Sequence, residues 1–308
     1  MSTKIEWTRG DDGSPGETWN PVRGCSMAKG SELGGCLNCY AARQSARNLP
    51  GHRSPKTGNA FAILTDNGPR WTGKVELIEL KLLEPLHWKK PRRVFVNSMS
   101  DLFHENLPDE AIDRIFAVMA LTPHITYQVL TKRARRMWEY FSLDRHNEIE
   151  LAADNAQLPK GHPAFGNRHL LPTLPLPNLW LGVSVENQPT ADERIPELLR
   201  TPAALRFVSY EPALAEVDFT RWLAASCQES HMHTPDKGCW NHLNWGIIGG
   251  ESGPGARPFD LKWARDTIRQ LKVAGVPLFC KQLGADPFDS EQPGRPHLAL
   301  KDSKGGNP

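Results

Sequence analysis

The feature that most constrains this chain is a set of three cysteines near its start. Cys25 ends the run Trp-Asn-Pro-Val-Arg-Gly-Cys at 19–25, and after ten intervening residues Cys36 and Cys39 form a Cys-x2-Cys pair. This spacing lets two thiolates reach one metal centre, and the glycine-rich stretch before it lets Cys25 fold back to the same centre. A structural zinc usually takes four protein ligands, whereas three cysteines suit a four-iron four-sulfur cluster with one open iron. The sequence therefore predicts a three-thiolate metal site.

The motif continues as Cys-Leu-Asn-Cys-Tyr-Ala-Ala-Arg and resembles the cluster loop of radical S-adenosylmethionine (SAM) enzymes. The likeness is greatest to the branch that includes spore photoproduct lyase-like proteins. Stretches similar to successive strands of that branch follow in the same order at 94–101, 128–132 and 181–185. Over nearly its whole length the chain also resembles a phage-associated family of uncharacterised three-Cys-motif proteins, with marks at 249–253 and 279–284.

This resemblance implies a cofactor and a reaction class. It implies a 4Fe-4S cluster on Cys25, Cys36 and Cys39, with SAM bound at the open iron and cleaved reductively to start radical chemistry on a substrate. It also implies an electron donor such as flavodoxin or ferredoxin. The branch suggests a nucleic acid or a nucleotide as the substrate, by analogy alone. In most radical SAM loops the first two cysteines lie closer together in sequence than they do here.

Composition favours one large soluble domain. With 308 residues, 39% hydrophobic and 23% charged, the chain can bury a sizeable core. We expect a single barrel domain over 1–290, with insertions at about 142–178 and 224–243 and a flexible tail at 291–308. No apolar run is long enough to cross a bilayer and the start of the chain is polar, so we expect no membrane partner. We expect a cytoplasmic location. Cysteines in the cytoplasm bind metals or stay as buried thiols. A net charge of +2 argues little for nucleic acid, and the basic runs at 89–93 and 132–136 are typical of solvated helix ends.

Short apolar stretches and amphipathic stretches alternate along the chain. The pattern predicts strands at 93–97, 125–130, 179–185, 204–210, 245–249 and 277–282. It predicts helices at 41–49, 75–86, 108–119, 133–141, 191–199 and 261–274. Residues 1–18 are expected to form a packed arm and 54–73 a loop. This alternation is typical of an α/β fold with a parallel sheet, closed or partly closed into a (β/α) barrel of the radical SAM type with loop insertions.

Each expected strand ends in polar residues, which would surround one mouth of such a barrel, where active sites lie. The candidates for binding SAM are Ser98, Ser100, Asp101, Lys132 and Ser184. The candidates for facing the substrate are Glu186, Glu211, Glu251 and Lys281. Two alternatives stay open: polar residues merely mark strand ends, or the acids form salt bridges with Lys132 and Lys281 that tie strand ends together. The adjacent glycines Gly249 and Gly250 would let a ligand approach the backbone.

Other residues allow different functions. A second metal candidate, for zinc, consists of Cys227, His231, His233, Cys239 and His242, although the spacing matches no standard finger. Cys280, inside an apolar strand, is expected to be a buried thiol. Besides the radical SAM enzyme we keep a barrel hydrolase, with two of the three glutamates as acid and base and a structural zinc on the cysteines. The third possibility is a phage-derived, zinc-containing nucleic-acid-binding protein. The family resemblance favours the radical SAM enzyme over the other two possibilities.

Overall fold

A computed structural model describes residues 3, 5–10, 12–31, 34–47, 52–162, 174–223 and 242–292. The strands are Glu17–Trp19 (β1), Val22–Arg23 (β2), Ala62–Thr65 (β3), Gly68–Trp71 (β4), Glu76–Leu77 (β5), Arg92–Val96 (β6), Ile125–Thr131 (β7), Leu179–Val185 (β8), Leu205–Tyr210 (β9), Trp245–Gly249 (β10), Phe259–Asp260 (β11), Leu278–Gln282 (β12) and Pro287–Phe288 (β13). The α-helices are Tyr40–Ser45 (α1), Glu79–Leu82 (α2), Asp109–Ala120 (α3), Ala134–Ser142 (α4), His146–Asp154 (α5), Gln188–Arg200 (α6) and Leu261–Val273 (α7). Short 3-10 helices are Glu6–Thr8, Glu84–His87 and Thr220–Trp222. Within the described residues, no helix is both long and apolar enough to cross a bilayer.

The main sheet has seven parallel strands in the order β1-β6-β7-β8-β9-β10-β12. Apart from β1 its strands follow one another in the sequence, separated by helices or long connections, as expected for parallel strands joined by crossovers. The predicted α/β class with a parallel sheet is therefore confirmed. Two-stranded pairings β2–β5, β3–β4 and β11–β13 complete the described strands.

The chain divides into two compact units. The first comprises Met1–Lys29, Cys39–Leu181 and Thr201–Ala204; the second comprises Gly30–Asn38, Gly182–Arg200 and Leu205–Pro308. Cys25 and Cys39 thus belong to the first unit and Cys36 to the second. The expectation of one barrel domain over 1–290 stays a prediction.

In the first unit, β1, β6 and β7 pair in parallel and an aromatic cluster packs among the helices. Helix α3 begins after Pro108, carries Asp109 and Glu110 in its first turn, and buries an apolar face. Phe116 on α3 stacks with Tyr140 on α4, with ring centroids 5.6 Å apart. The Tyr140 hydroxyl donates to the buried Asp113 carboxylate at 2.7 Å, so this polar group is satisfied inside the core.

In the second unit, β9, β10 and β12 pair in parallel, and helix α7 packs on β10 and β12. Asp260 caps α7 by accepting the Lys262 backbone N–H at 2.9 Å. Gly246 in β10 leaves room for the helix, because a Cβ there would lie 2.4 Å from Leu271. The close packing of helix on sheet therefore depends on a small residue in the strand.

All six predicted strands of the sheet are confirmed, with ends within one residue. The differences lie in segments with short elements. Residues 54–73 contain the hairpin β3–β4, closed by a turn at Asp66 and Asn67 before Gly68, which has φ +88°. The expected helix at 75–86 is wrong: the segment is β5, then α2, then a 3-10 turn that contains Pro85. The stretch 142–178 includes helix α5, and β1 lies mostly within the arm expected at 1–18.

Candidate functional site

The residue directly before Cys25 has a backbone conformation that favours glycine. Gly24 has φ +86°, and a Cβ at this position would lie 1.9 Å from the carbonyl oxygen of Lys74. Gly24 also forms an isolated parallel bridge with Ser100. Only glycine tolerates both the positive φ and the short distance to the Lys74 carbonyl, so the fold requires a glycine before the first cysteine.

The segment that follows β6 holds this same stretch of chain. The Asn20 side-chain oxygen accepts from the Ser98 hydroxyl at 3.1 Å and from the Met99 N–H at 3.0 Å. The Ser100 hydroxyl donates to the Val22 carbonyl at 2.9 Å. The hydroxyls of Ser98 and Ser100, expected to bind SAM, therefore bond to the residues that precede Cys25.

Arg133 lies beside the first cysteine. Its Nη1 donates to the Cys25 Sγ at 3.8 Å, and its Nη2 donates to the carbonyl and the hydroxyl of Ser26 at 3.2 and 3.0 Å. Nη1 also pairs with Asp101 at 3.1 Å, and Nε pairs with Glu105 at 2.8 Å. Burial works against the charge of this guanidinium, but its acidic neighbours raise the pKa of Arg133 above the ordinary value. The Cys25 sulfur therefore faces a fixed positive charge.

Asp101 is the buried counterpart of that arginine. Its oxygens accept from the Thr131 hydroxyl at 2.7 Å and from the Lys132 backbone N–H at 3.1 Å, in addition to Arg133. Burial raises the pKa of a carboxyl group, but here the Arg133 charge and these hydrogen bonds outweigh it and hold the pKa of Asp101 below its usual value. Asp101 is thus an ionised group that orients Arg133.

His104 completes this network as a neutral donor. Its Nδ1 accepts the Asn106 backbone N–H at 3.0 Å, so the hydrogen-bond network assigns the ring proton to Nε2, which donates to the Ser26 hydroxyl at 2.8 Å. Burial, together with the charge of Arg133, lowers the pKa of His104. Because Nε2 donates rather than accepts, His104 cannot act as a base toward Ser26 in this arrangement.

Cys39 stands at the start of helix α1, where it is the N-cap residue. The helix expected at 41–49 is confirmed, although it begins at Tyr40 and ends at Ser45. The next residue, Tyr40, is mostly exposed, and its hydroxyl donates to the Ser98 carbonyl at 2.6 Å. The first unit therefore connects Cys39 to the same strand end that supports Cys25.

In the second unit, Glu186 and Arg194 form a fully buried ion pair with 3.0 Å between Oε2 and Nη1. Arg194 also donates to the Ser31 hydroxyl at 2.7 Å. Glu186 Oε1 accepts from that hydroxyl and from the Gly35 N–H, each at 3.4 Å. The pair therefore holds Ser31 and Gly35, two residues of the segment that leads to Cys36.

Glu251 makes a second pair of this kind with Arg257, at 2.7 Å. It accepts from the Asn38 side-chain amide at 3.0 Å, and Arg257 donates to the Gly34 carbonyl at 2.9 Å. Burial would raise the pKa of Glu251, but the hydrogen bonds from Arg257 and Asn38 keep it below its usual value. Residues on both sides of Cys36 are thus bonded to this pair.

Glu211, the third acid, pairs with Lys281 at 2.7 Å, as in the salt-bridge alternative that the sequence left open. The Ser184 hydroxyl donates to the Glu211 carbonyl at 3.3 Å. Gly250 leaves room for protein rather than for a ligand, because a Cβ there would lie 2.8 Å from the Cα of Gly284. The other two acids pair with arginines and not with the lysines of that alternative.

None of the described cysteines forms a disulfide; Cys25, Cys36 and Cys39 are partly exposed and Cys280 is buried as expected. Among the described residues, no group of three or more His, Cys, Asp and Glu side chains is arranged as a ready metal site. Of the zinc candidates Cys227, His231, His233, Cys239 and His242, only His242 lies within the described residues.

The residues that sequence reasoning missed are mainly arginines. Arg133 belongs to the basic run 132–136, which was expected to be solvated, but its side chain is only 5% exposed. Arg194 lies on α6 and is fully buried. The available signal was a charged residue at a helical position otherwise occupied by buried apolar residues, since a buried arginine needs an acidic partner.

Comparison with known proteins gives one match. A family model described as "Protein of unknown function (DUF5131)" matches residues 2–299. No curated protein and no solved structure matches the chain.

Proposed function

The chain belongs to the DUF5131 family, and we propose that it is a radical SAM-type iron-sulfur enzyme that binds a 4Fe-4S cluster through Cys25, Cys36 and Cys39. A cluster held in this way, with SAM at its open iron, would supply one-electron reductive cleavage and so start radical chemistry. The substrate class suggested by the sequence resemblance is a nucleic acid or a nucleotide, and an electron donor such as flavodoxin or ferredoxin would be needed.

The observation that carries the proposal is the chemistry around the three sulfurs. All three cysteines are outside any disulfide and partly exposed, as metal-binding thiols are, whereas Cys280 is buried in a strand. Arg133 donates toward the Cys25 sulfur, and a cation beside a thiol favours the thiolate form that binds iron. The donor set therefore fits an iron-sulfur cluster, while the support for one shared centre comes from the sequence spacing.

The chain's own residues would hold the cysteine segments in place. Asn20, Ser98 and Ser100 fasten the backbone before Cys25. The ion pairs of Glu186 and Glu251 fasten the segment around Cys36. In this function the two glutamates position the segment that carries a ligand, which is a more specific role than the expected contact with substrate.

SAM binding is proposed for the same strand ends. Lys132 is the candidate partner for the SAM carboxylate, and Asp101 and Ser184 are further members of the predicted set. The hydroxyls of Ser98 and Ser100 already bond to the chain before Cys25, so we expect them to act on that chain first. Calorimetry of SAM binding to Lys132→Ala and to Ser184→Ala, compared with wild type, separates these contributions.

The barrel hydrolase has less support. A general acid needs a raised pKa, and the Arg257 and Asn38 hydrogen bonds keep the pKa of Glu251 low. Glu186 is enclosed in an ion pair and has no exposed surface through which to meet a substrate. The pair Glu211 and Lys281 would be left as the only candidate among these groups.

The experiment that tests the proposal is anaerobic purification with iron and sulfide analysis. We expect four irons and four sulfides per chain in the wild type. Cys25→Ala, Cys36→Ala and Cys39→Ala should each lose the cluster, and Cys280→Ala is the matched control that should keep it. Full iron content in Cys36→Ala, or zinc in place of iron in the wild type, would reject the assignment.

A further inference from the structure

We propose that Arg133 is a positioning residue for Cys25, and that its donation to this sulfur strengthens iron binding and raises the reduction potential of the cluster. The inference rests on the proposed function, because it assigns a role to a neighbour of one proposed ligand. It concerns only residues of the first unit.

The first argument is that every N–H of the guanidinium has a partner. An arginine side chain offers five N–H donors in a fixed plane. Nε donates to Glu105, Nη1 to Asp101 and to the Cys25 sulfur, and Nη2 to the carbonyl and hydroxyl of Ser26. The five N–H donors therefore meet five acceptors, and the Cys25 sulfur is one of these acceptors. The contact with the sulfur belongs to a complete set of hydrogen bonds and is not a chance approach.

The second argument is that further hydrogen bonds fix the positions of Arg133 and Ser26. Asp101 is buried and also accepts from Thr131 and from the Lys132 backbone, so it fixes the side of the guanidinium that faces Cys25. His104 donates to the Ser26 hydroxyl from another direction. The residue after Cys25 is thus bonded to the side chains of Arg133 and His104, which hold the backbone next to the cysteine.

The third argument is electrostatic. Arg133 has a side chain only 5% exposed, so its charge acts on the sulfur through a medium of low dielectric constant. A donor to a ligating sulfur withdraws electron density, and hydrogen bonds to cluster sulfurs are among the factors that set the reduction potential. Groups that orient metal ligands typically change metal affinity about 10–100-fold when they are mutated.

The test compares Arg133→Lys and Arg133→Gln with Arg145→Gln as the matched control. Arg145 is also an ion-paired arginine of the first unit, with Asp113 as its partner. Lysine keeps the charge of Arg133 but has three donors in a different geometry, so it separates charge from the planar arrangement. Circular dichroism spectra identify variants that fold.

For each folded variant, iron per chain is measured during a chelator challenge, and the midpoint potential is measured by redox titration. We expect iron affinity about 10–100-fold lower in Arg133→Gln, a smaller loss in Arg133→Lys, and a more negative potential in both. The control should match the wild type. If Arg133→Gln does not fold, the lysine variant decides.

Wild-type potential and wild-type iron retention in the folded Arg133 variants would overturn this inference while leaving the cluster assignment intact. A wild-type protein without iron and sulfide would reject the proposed function itself, and the role of Arg133 with it. The two failures are therefore distinguishable in one set of samples.

Discussion

The two parts of the cysteine motif are held in different ways. In the first unit Cys25 follows a glycine whose backbone is fixed, and an arginine donates directly to its sulfur. In the second unit the segment around Cys36 is held through its polar side chains and backbone by the ion pairs of Glu186 and Glu251. The first arrangement acts on the ligand atom and the second acts on the path of the chain. Changes near Cys25 should therefore alter metal chemistry most, and changes near Cys36 should alter stability most.

The largest effect on stability should come from the pair of Glu186 with Arg194. Glu186→Gln leaves a buried arginine without its charged partner, which typically destabilises a fold by about 3–5 kcal/mol. Denaturant unfolding measures this loss. The control is Asp192→Asn on the same helix, which removes a pair with Arg221 in which both side chains are exposed, and it should change stability by about 0–1 kcal/mol. A loss below about 1 kcal/mol in Glu186→Gln would mean that this pair does not hold the segment.

Gly24→Ala should come next and should affect both stability and metal content. The positive φ alone disfavours alanine by about 1–2 kcal/mol, and the contact with the Lys74 carbonyl adds to it. Gly58→Ala is the matched control, because Gly58 has φ +70° and a Cβ there would meet no atom of the described residues within 4 Å. The difference between the two unfolding free energies isolates the close contact. Equal losses would show that the chain before Cys25 can shift.

Glu251→Gln should have a smaller effect, with a distinctive dependence on pH. The lowered pKa of Glu251 means that its pairing stabilises the fold above the unfolded pKa of about 4.3, and that this stability is lost as pH falls through the folded value. Wild type should therefore lose stability in this acidic range more steeply than Glu251→Gln does. Unfolding curves recorded from pH 7 down to about 3 test this, and parallel curves for the two proteins would contradict the pairing.

The smallest effect is expected for Tyr40→Phe. It removes one hydrogen bond from a largely exposed hydroxyl to the Ser98 carbonyl, a change of about 0.5–1.5 kcal/mol at most. Iron content should stay at the wild-type level, since Cys39 is still placed by the start of α1. A clear loss of iron in Tyr40→Phe would show that Cys39 depends on the side chain beside it.

The sequence predicted the long elements because their periodic burial is visible in it. Strand β8 was located to the residue, and α3 and α7 within a residue or so, since each carries a sustained apolar pattern. Short elements such as β5 and α2 have too few residues to show a period. The hairpin β3–β4 has strands of four residues, and Asn67 and Gly68 mark its turn in the sequence.

The candidate site could be predicted only in part. The burial of Cys280 and the helix after Cys39 follow from local pattern and residue type, and a salt bridge to Lys281, found for Glu211, is one of the alternatives that the sequence left open. The partners of Glu186 and Glu251 could not be predicted in this way. The fold brings Arg194 and Arg257 to these two acids, and no sequence spacing indicates the pairs. Arg133 was hidden for another reason: a basic run at the start of a helix has the same composition whether it is solvated or buried.

The most direct test of the central claim, that the three cysteines hold a 4Fe-4S cluster with an open iron, is electron paramagnetic resonance of the anaerobic protein after reduction with dithionite. Spectra are recorded with and without SAM for wild type, Cys36→Ala and Cys280→Ala. We expect a reduced-cluster signal that changes when SAM is added in wild type and in Cys280→Ala, and no such signal in Cys36→Ala. A wild-type protein without a cluster signal, or a signal that persists in Cys36→Ala, would contradict the account.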